Sequence, residues 1–341
     1  MGFGWDFMGV FGVARCRQAS AALAHAPTSL LPPFDMSSQP LSSRPSAAAN
    51  GRAIATMMGA MGCFVLNDAL VKHVSQSMPS AQLIFLRGLI ASVLVLLVAH
   101  RLGALRQAGA VLNPRVALRG AVDACATMMY LLSLFQLPIG NATAINLAAP
   151  LFMTVFAVLF MDERAGMARW SAVVLGFAGV LCVVQPSGEG FSAWALLCLL
   201  GTLFHAMRDL MTRRIDPAIP SIIITLATAL AVTVLAGCLT LLSGWQAFAL
   251  RDLALLGVAA AFLASGYFLL VQCMRAGEVS LTAPFRYTAV LFAMLLGYAI
   301  WDEVPSGWAW LGVALLVGSG LYMLHSERGR TRAAALDAQP E

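Results

Sequence analysis

The stretch at 281–287 reads LTAPFRY and leads into the apolar run AVLFAMLLGYAI. A guanidinium such as that of Arg286 is a permanently charged, two-pronged donor suited to a carboxylate or phosphate. Its neighbour Pro284 has no N–H, so in a continuous helix the carbonyl of Ser280 loses its partner and is free to bind a ligand. Pro150 does the same to the carbonyl of Asn146 in an earlier apolar run. Arg87 stands two helical turns in from Ser80 with apolar residues on both sides. Each arginine has a functional and a structural reading. Arg286 holds cargo or pairs with a carboxylate of another segment; Arg87 holds cargo, snorkels, or pairs with Asp68.

Other polar side chains share these runs. Arg119 and Asp123 are four apart, which places them on one helix face as a structural pair or as gating and coupling groups. Asp68 and Asp209 are gate or proton-site candidates, or polar residues at the ends of their runs. Tyr130, Tyr267 and Tyr287 suit a cavity for a planar molecule and equally suit helix packing. Asn141, Asn146 and Gln272 are neutral groups that read a ligand or bond between helices. His205 is read as a satisfied interior histidine.

The elements that carry these residues follow from composition. The chain has 341 residues, 60% hydrophobic and 11% charged, far too few charges for a soluble surface. Runs of about 20 apolar residues match a hydrocarbon layer about 30 Å thick. The expected class is an all-α integral membrane protein with ten transmembrane helices. They are placed at 53–71, 81–100, 117–135, 140–160, 168–185, 192–211, 219–242, 253–273, 279–300 and 307–325. A β-barrel would show shorter alternating segments instead. Arg286 then lies about 10 Å into the ninth span. A charge near the bilayer centre costs about 2.5–3.5 kcal/mol on insertion scales, so it is expected to face a watery cavity.

Of the 21 lysines and arginines, Arg87, Arg119, Arg208 and Arg286 fall within spans, and Lys72 and Arg251 fall in alternate connections. The remaining fifteen lie on the N-terminal side of the membrane, which predicts cytoplasmic termini. Trp170, Trp194, Trp245, Trp301 and Trp308 fall at span ends, as an interfacial belt requires. The seven cysteines form no CxxC pair, and six lie in apolar runs as core packers. Residues 1–51 mix Ser, Pro, Ala and Arg; they are expected to be a disordered extension before a true start near Met36, with an organellar transit peptide as the second reading.

The chain also repeats itself. At an offset of 140, residues 138–186 lie on 278–325, with Asp162-Glu163 on Asp302-Glu303 and Trp170 on Trp310. At an offset of 141, Asp68 meets Asp209, Lys72 meets Arg213 and Pro79 meets Pro220. Five spans per copy is an odd number, so the copies are expected to be inverted, at 52–186 and 187–325, with a cytoplasmic tail at 326–341. Inverted repeats are a recurrent architecture of secondary transporters, with cargo sites where the halves meet. Gly59, Gly62, Gly176, Gly179, Gly318 and Gly320 are read as helix-packing residues.

With QLPIGNATAINLAAPLF…FMDE in one copy and MRAGEVSLTAPFRYTAVLFAMLLGYAIWDEVP in the other, residues 53–325 resemble the EamA-type branch of the drug/metabolite transporter superfamily. The resemblance implies a carrier in the bacterial inner membrane for a small metabolite, such as an amino acid, a nucleotide-related compound, riboflavin or S-adenosylmethionine. Cofactors, metals and nucleic acid are not expected, and the assembly is a monomer or homodimer. A membrane enzyme lacks support, since HExxH, GxSxG and a phosphate-cradling loop are all missing from the sequence. A non-transporting scaffold or sensor is the remaining class. The cargo is expected to carry a carboxylate, a phosphate or another electron-rich planar group.

Overall fold

The computed structural model describes residues 47–161, 166–185, 192–212, 214–276 and 282–337. Residues 1–46 of the N-terminal extension, Asp162, Glu163, Arg213 and Ser280 lie outside them, whereas residues 47–51 form the start of the first helix.

Among the described residues the structure is all-helical, without strands. The helices are α1 (Ala47–Val74), α2 (Ser80–Arg101), α3 (Pro114–Gln136), α4 (Ile139–Asn146), α5 (Ala149–Met161), α6 (Met167–Val184), α7 (Ala193–Thr212), α8 (Ser221–Ser243), α9 (Leu250–Ala276), α10 (Thr288–Trp301) and α11 (Gly307–Asp337). Two 3₁₀ segments, Ala104–Leu112 and Ala283–Tyr287, precede α3 and α10. Seven helices are long and apolar enough to cross a membrane, and three shorter apolar ones span 169–184, 285–301 and 307–323. The protein is a multi-pass membrane protein.

Local chemistry sets the helix ends. Pro79 and Pro220, matched by the repeat, both precede helices with nearly the same backbone angles, φ −55°, ψ 135° and φ −61°, ψ 136°. A proline's fixed φ starts a helix without wasting an N–H. Asn113 caps α3, its side chain accepting from the Arg115 N–H at 3.0 Å, with Pro114 in the first turn.

Helix pairing follows a pattern. α1 packs on α9, α2 on α8, α3 on α7, α4 on α10 and α6 on α11. Exchanging the two sequence copies turns the α1–α9 contact into α7–α3, and the α10–α1 contact into α5–α7. Both occur. The other three pairings map onto themselves. At the α6–α11 crossing the backbones touch: a Cβ on Gly179 would meet the Gly312 carbonyl at 2.8 Å, and one on Gly312 would meet the Gly179 carbonyl at 2.5 Å.

Bonds between helix ends define the two ends of the bundle. At one, Lys72 meets Glu303, Gln82 exchanges two hydrogen bonds with the backbone of Gln246 (2.8 and 3.0 Å), and Gln185 donates to Ser306 at 2.7 Å. At the other, Arg214 donates to the Phe160 carbonyl at 2.7 Å, and Ile219 and Ile222 pack near Ala99 and Leu105. Leucines and valines on α2, among them Leu89, Val93, Leu97 and Val98, point outward as a lipid-facing surface.

Candidate functional site

Both proline-bearing spans are interrupted. α4 ends at Asn146 and α5 begins at Ala149, the turn held by Leu147 N–H to Thr143 O and Ala148 N–H to Ile145 O. On the other side, Pro284 stands in the first turn of the 3₁₀ segment, and regular α-helix resumes only at Thr288. Arg286 therefore does not lie two turns inside an α-helix as the apolar pattern predicted. It stands in a 3₁₀ turn just before α10, because proline removes a donor and the chain tightens there. The broken spans face each other through the α4–α10 contact.

Between the helices runs a ladder of buried polar groups. Nearest the Glu303 end, Lys72 donates to Glu303 Oε1 at 2.5 Å and to the Leu137 carbonyl at 2.5 Å. The sequence placed Lys72 in an external connection. Instead α1 runs to Val74 and carries Lys72 inside, where it is 5% exposed. About one turn further in, Asp68 accepts from Tyr130 Oη at 2.8 Å and from Asn67 Nδ2 at 2.9 Å. Arg87 lies within electrostatic range of Asp68, Tyr130 and Tyr267.

The middle of the ladder is built from an imidazole, amides, a phenol and a thiol. His205 Nδ1 is 3.3 Å from Asn146 Oδ1, the Tyr130 and His205 rings are 6.2 Å apart, and Cys198 donates to the Ala142 carbonyl at 3.7 Å. Asn67 Oδ1, Asn141 Oδ1 and His205 Nε2 are buried without a hydrogen-bond partner among the described residues. A buried polar atom in that state wants water or a ligand. Phe64 and Tyr267 stack edge to face at 4.9 Å beside it.

Toward the opposite end lies a cluster of four charges. Arg208 bonds Asp123 at 2.8 Å and Asp209 at 2.6 Å, while Arg119 meets Asp123 at 3.3 Å. Arg119 also donates to Thr212 at 3.1 Å and to Thr228. All four charged residues are nearly sealed from solvent, and two arginines balance two aspartates. Arg286 lies within electrostatic range of Asp209 and Tyr287. Tyr287 presses its hydroxyl into the space left by Gly320, where a Cβ would fall 1.5 Å away.

Gln272 is exposed and, among the described residues, joins none of these groups. Sequence reasoning missed Arg208, Asn67 and Glu303, and gave His205 and Lys72 no part in a site. Arg208 carried a signal, a charge beside Asp209 inside an apolar run. Among the described residues no group of three His, Cys, Asp or Glu is placed to hold a metal ion.

A multi-pass bundle lined by buried hydrogen-bonding groups and interrupted helices defines a membrane transporter. The chain belongs to the EamA-like transporter family, whose model matches it twice, at 51–185 and at 192–324. It is 30% identical over 202 residues to a riboflavin transporter of Rhizobium johnstonii, covering 59% of this chain and 67% of that protein. It is 26% identical over 280 residues to the pseudopaline exporter CntI of Pseudomonas aeruginosa, covering 78% and 93%. An S-adenosylmethionine uptake transporter of Rickettsia bellii is 25% identical over 264 residues, covering 77% and 89%. A solved crystal structure shares the fold at TM-score 0.52 and 20% identity, over 79% of this chain and 96% of that one. The protein is a small-metabolite transporter.

Proposed function

We propose that the protein is a secondary carrier with ten spans in two inverted five-span copies, 52–186 and 187–325, working by alternating access. The observation that carries this reading is the set of largest helix pairings: exchanging the copies turns α1–α9 into α3–α7 and leaves α2–α8 and α6–α11 as they are. The double match to one family model supports it. So do the end contacts: α1 runs toward the Glu303 end, whereas α7, its counterpart, runs away from it toward Arg214. The halves rock about the α4–α10 contact, and the ladder is the passage. The protein carries out no chemical reaction on its cargo.

The cargo is held between the broken spans. Arg286, Tyr287 and the Pro284 turn contribute from one half; Asn141, Asn146, Tyr130 and Arg87 contribute from the other, with Tyr267 alongside. Spans carry four arginines against the three aspartates Asp68, Asp123 and Asp209, which favours a cargo bearing a carboxylate, phosphate or electron-rich planar group. Relatives named for riboflavin, pseudopaline and S-adenosylmethionine fit a cargo of metabolite size. Transport is coupled to an ion or to exchange, in the bacterial inner membrane with both termini cytoplasmic. Tagging the termini tests that orientation.

The test is a metabolite comparison of cells with and without the gene, followed by counterflow of each changed compound in proteoliposomes of the purified protein. At least one compound is expected to exchange faster than in protein-free vesicles. Purified, folded protein that exchanges none of them would overturn the carrier reading.

A further inference from the structure

The Lys72–Glu303 contact lies at the mouth of the ladder, outside the cargo groups just assigned, and it joins the two halves. Its two charges are side by side at 2.5 Å with side-chain exposures of 6% and 17%. Removing such a pair from water costs about as much as its attraction returns, so packing alone would be served as well by apolar residues. The charges therefore ask for a role beyond stability.

Their surroundings are specific. Leu137 and Ile139 flank Pro138 in the turn between α3 and α4; the Leu137 carbonyl accepts from Lys72, and the Ile139 N–H donates to Glu303 Oε2 at 2.8 Å. Asp302 takes a left-handed conformation, φ 54°, which folds the chain back so that the Glu303 N–H meets the Gly297 carbonyl at 3.1 Å. The carboxylate enters a notch in α10 that exists because residue 297 is glycine: a Cβ there would sit 2.8 Å from Glu303 Oε2. The Trp301 ring covers the ammonium at 5.0 Å. One ion pair thus ties the end of α1, the α3–α4 turn and the end of α10 together between Asp68 and that face.

The geometry points to Lys72 and Glu303 as a latch that closes this end of the passage and parts each time it opens. The inference rests on the alternating-access reading. When the halves separate, water reaches both groups and hydrates each charge, so the latch releases without leaving a buried ion alone. An apolar seal would have no such alternative partner.

The test uses the full-length protein in sealed vesicles, with Asn141→Cys on α4 as a reporter beneath the latch and the parent without that cysteine as background. A membrane-impermeant maleimide is applied to the face carrying Ser306, and in separate vesicles to the other face. Lys72→Met or Glu303→Gln is expected to raise labelling from the Ser306 face by about tenfold or more, with the other face unchanged. Lys72→Arg, which keeps the charge, is expected to label like the parent. Unchanged labelling in both neutralised variants overturns the latch, as does an equal rise from both faces, which reports a loosened bundle. The readout needs no cargo. Transport is read in the protein without the reporter cysteine, because Asn141 is a cargo group: a latch seen beside no exchange of any metabolite would count against the carrier reading alone, and normal exchange with unchanged labelling would count against the latch alone.

Discussion

Arg286 carries the prediction that belongs to single side chains. It sits in the 3₁₀ turn ahead of α10, close to Asp209 and Tyr287. If it binds an electron-rich group of the cargo, Arg286→Ala should lower the exchange rate by about 100-fold or more, the loss of one charge-assisted contact, and Arg286→Lys by about tenfold. Initial rates in proteoliposomes check this, and wild-type rates in both variants remove Arg286 from the site. Part of this chemistry was legible in the sequence. The Arg119–Asp123 pair follows from a spacing of four on one helix. The Arg208–Asp123 and Lys72–Glu303 pairs do not, because the partners are 85 and 231 residues apart and only the packing of one copy against the other brings them together. Lys72 misled for a physical reason: a charge at the end of an apolar run looks the same whether the helix stops before it or carries it inward.

At the scale of elements, the packing of α6 on α11 depends on two glycines whose backbones touch. Gly179→Leu forces a side chain against the Gly312 carbonyl, and overpacking of that kind costs about 1–3 kcal/mol. Its unfolding free energy from a detergent titration should fall accordingly, whereas a leucine at Gly318, where a Cβ meets nothing within 4 Å, should leave that free energy within about 0.5 kcal/mol of the parent. The existence of these helices was plain from apolar run length. Their interruptions were half visible: Pro150 and Pro284 marked the places, but proline does not say whether a helix kinks or, as at 283–287, tightens into 3₁₀. The break at Leu147–Ala148 precedes its proline, since Pro150 has no N–H for the Asn146 carbonyl and its ring crowds that carbonyl one turn earlier.

For the whole molecule, inverted copies make a topological prediction. Cysteines placed at Ser306 and Arg251 should react with an impermeant reagent from one face of the membrane, and cysteines at Gln107 and Ala218 from the other. Ser306 and Arg251 on opposite faces would sink the arrangement. The repeat that suggests it could be read from sequence because both copies keep the same landmarks, Pro79 with Pro220 and Asp68 with Asp209. The pairing of α1 with α9 and α3 with α7 could not, since an apolar surface records that it is covered and not by what. The α3–α7 contact also bears on how the chain is made. These are the two least apolar of the seven long spans, and Asp123 of the first finds Arg208 only when the second has been synthesised. Until then α3 sets that carboxylate against Arg119 of the same helix. The N-terminal copy, although it matches the family model by itself, leaves the ribosome as an unfinished assembly that its younger sibling completes.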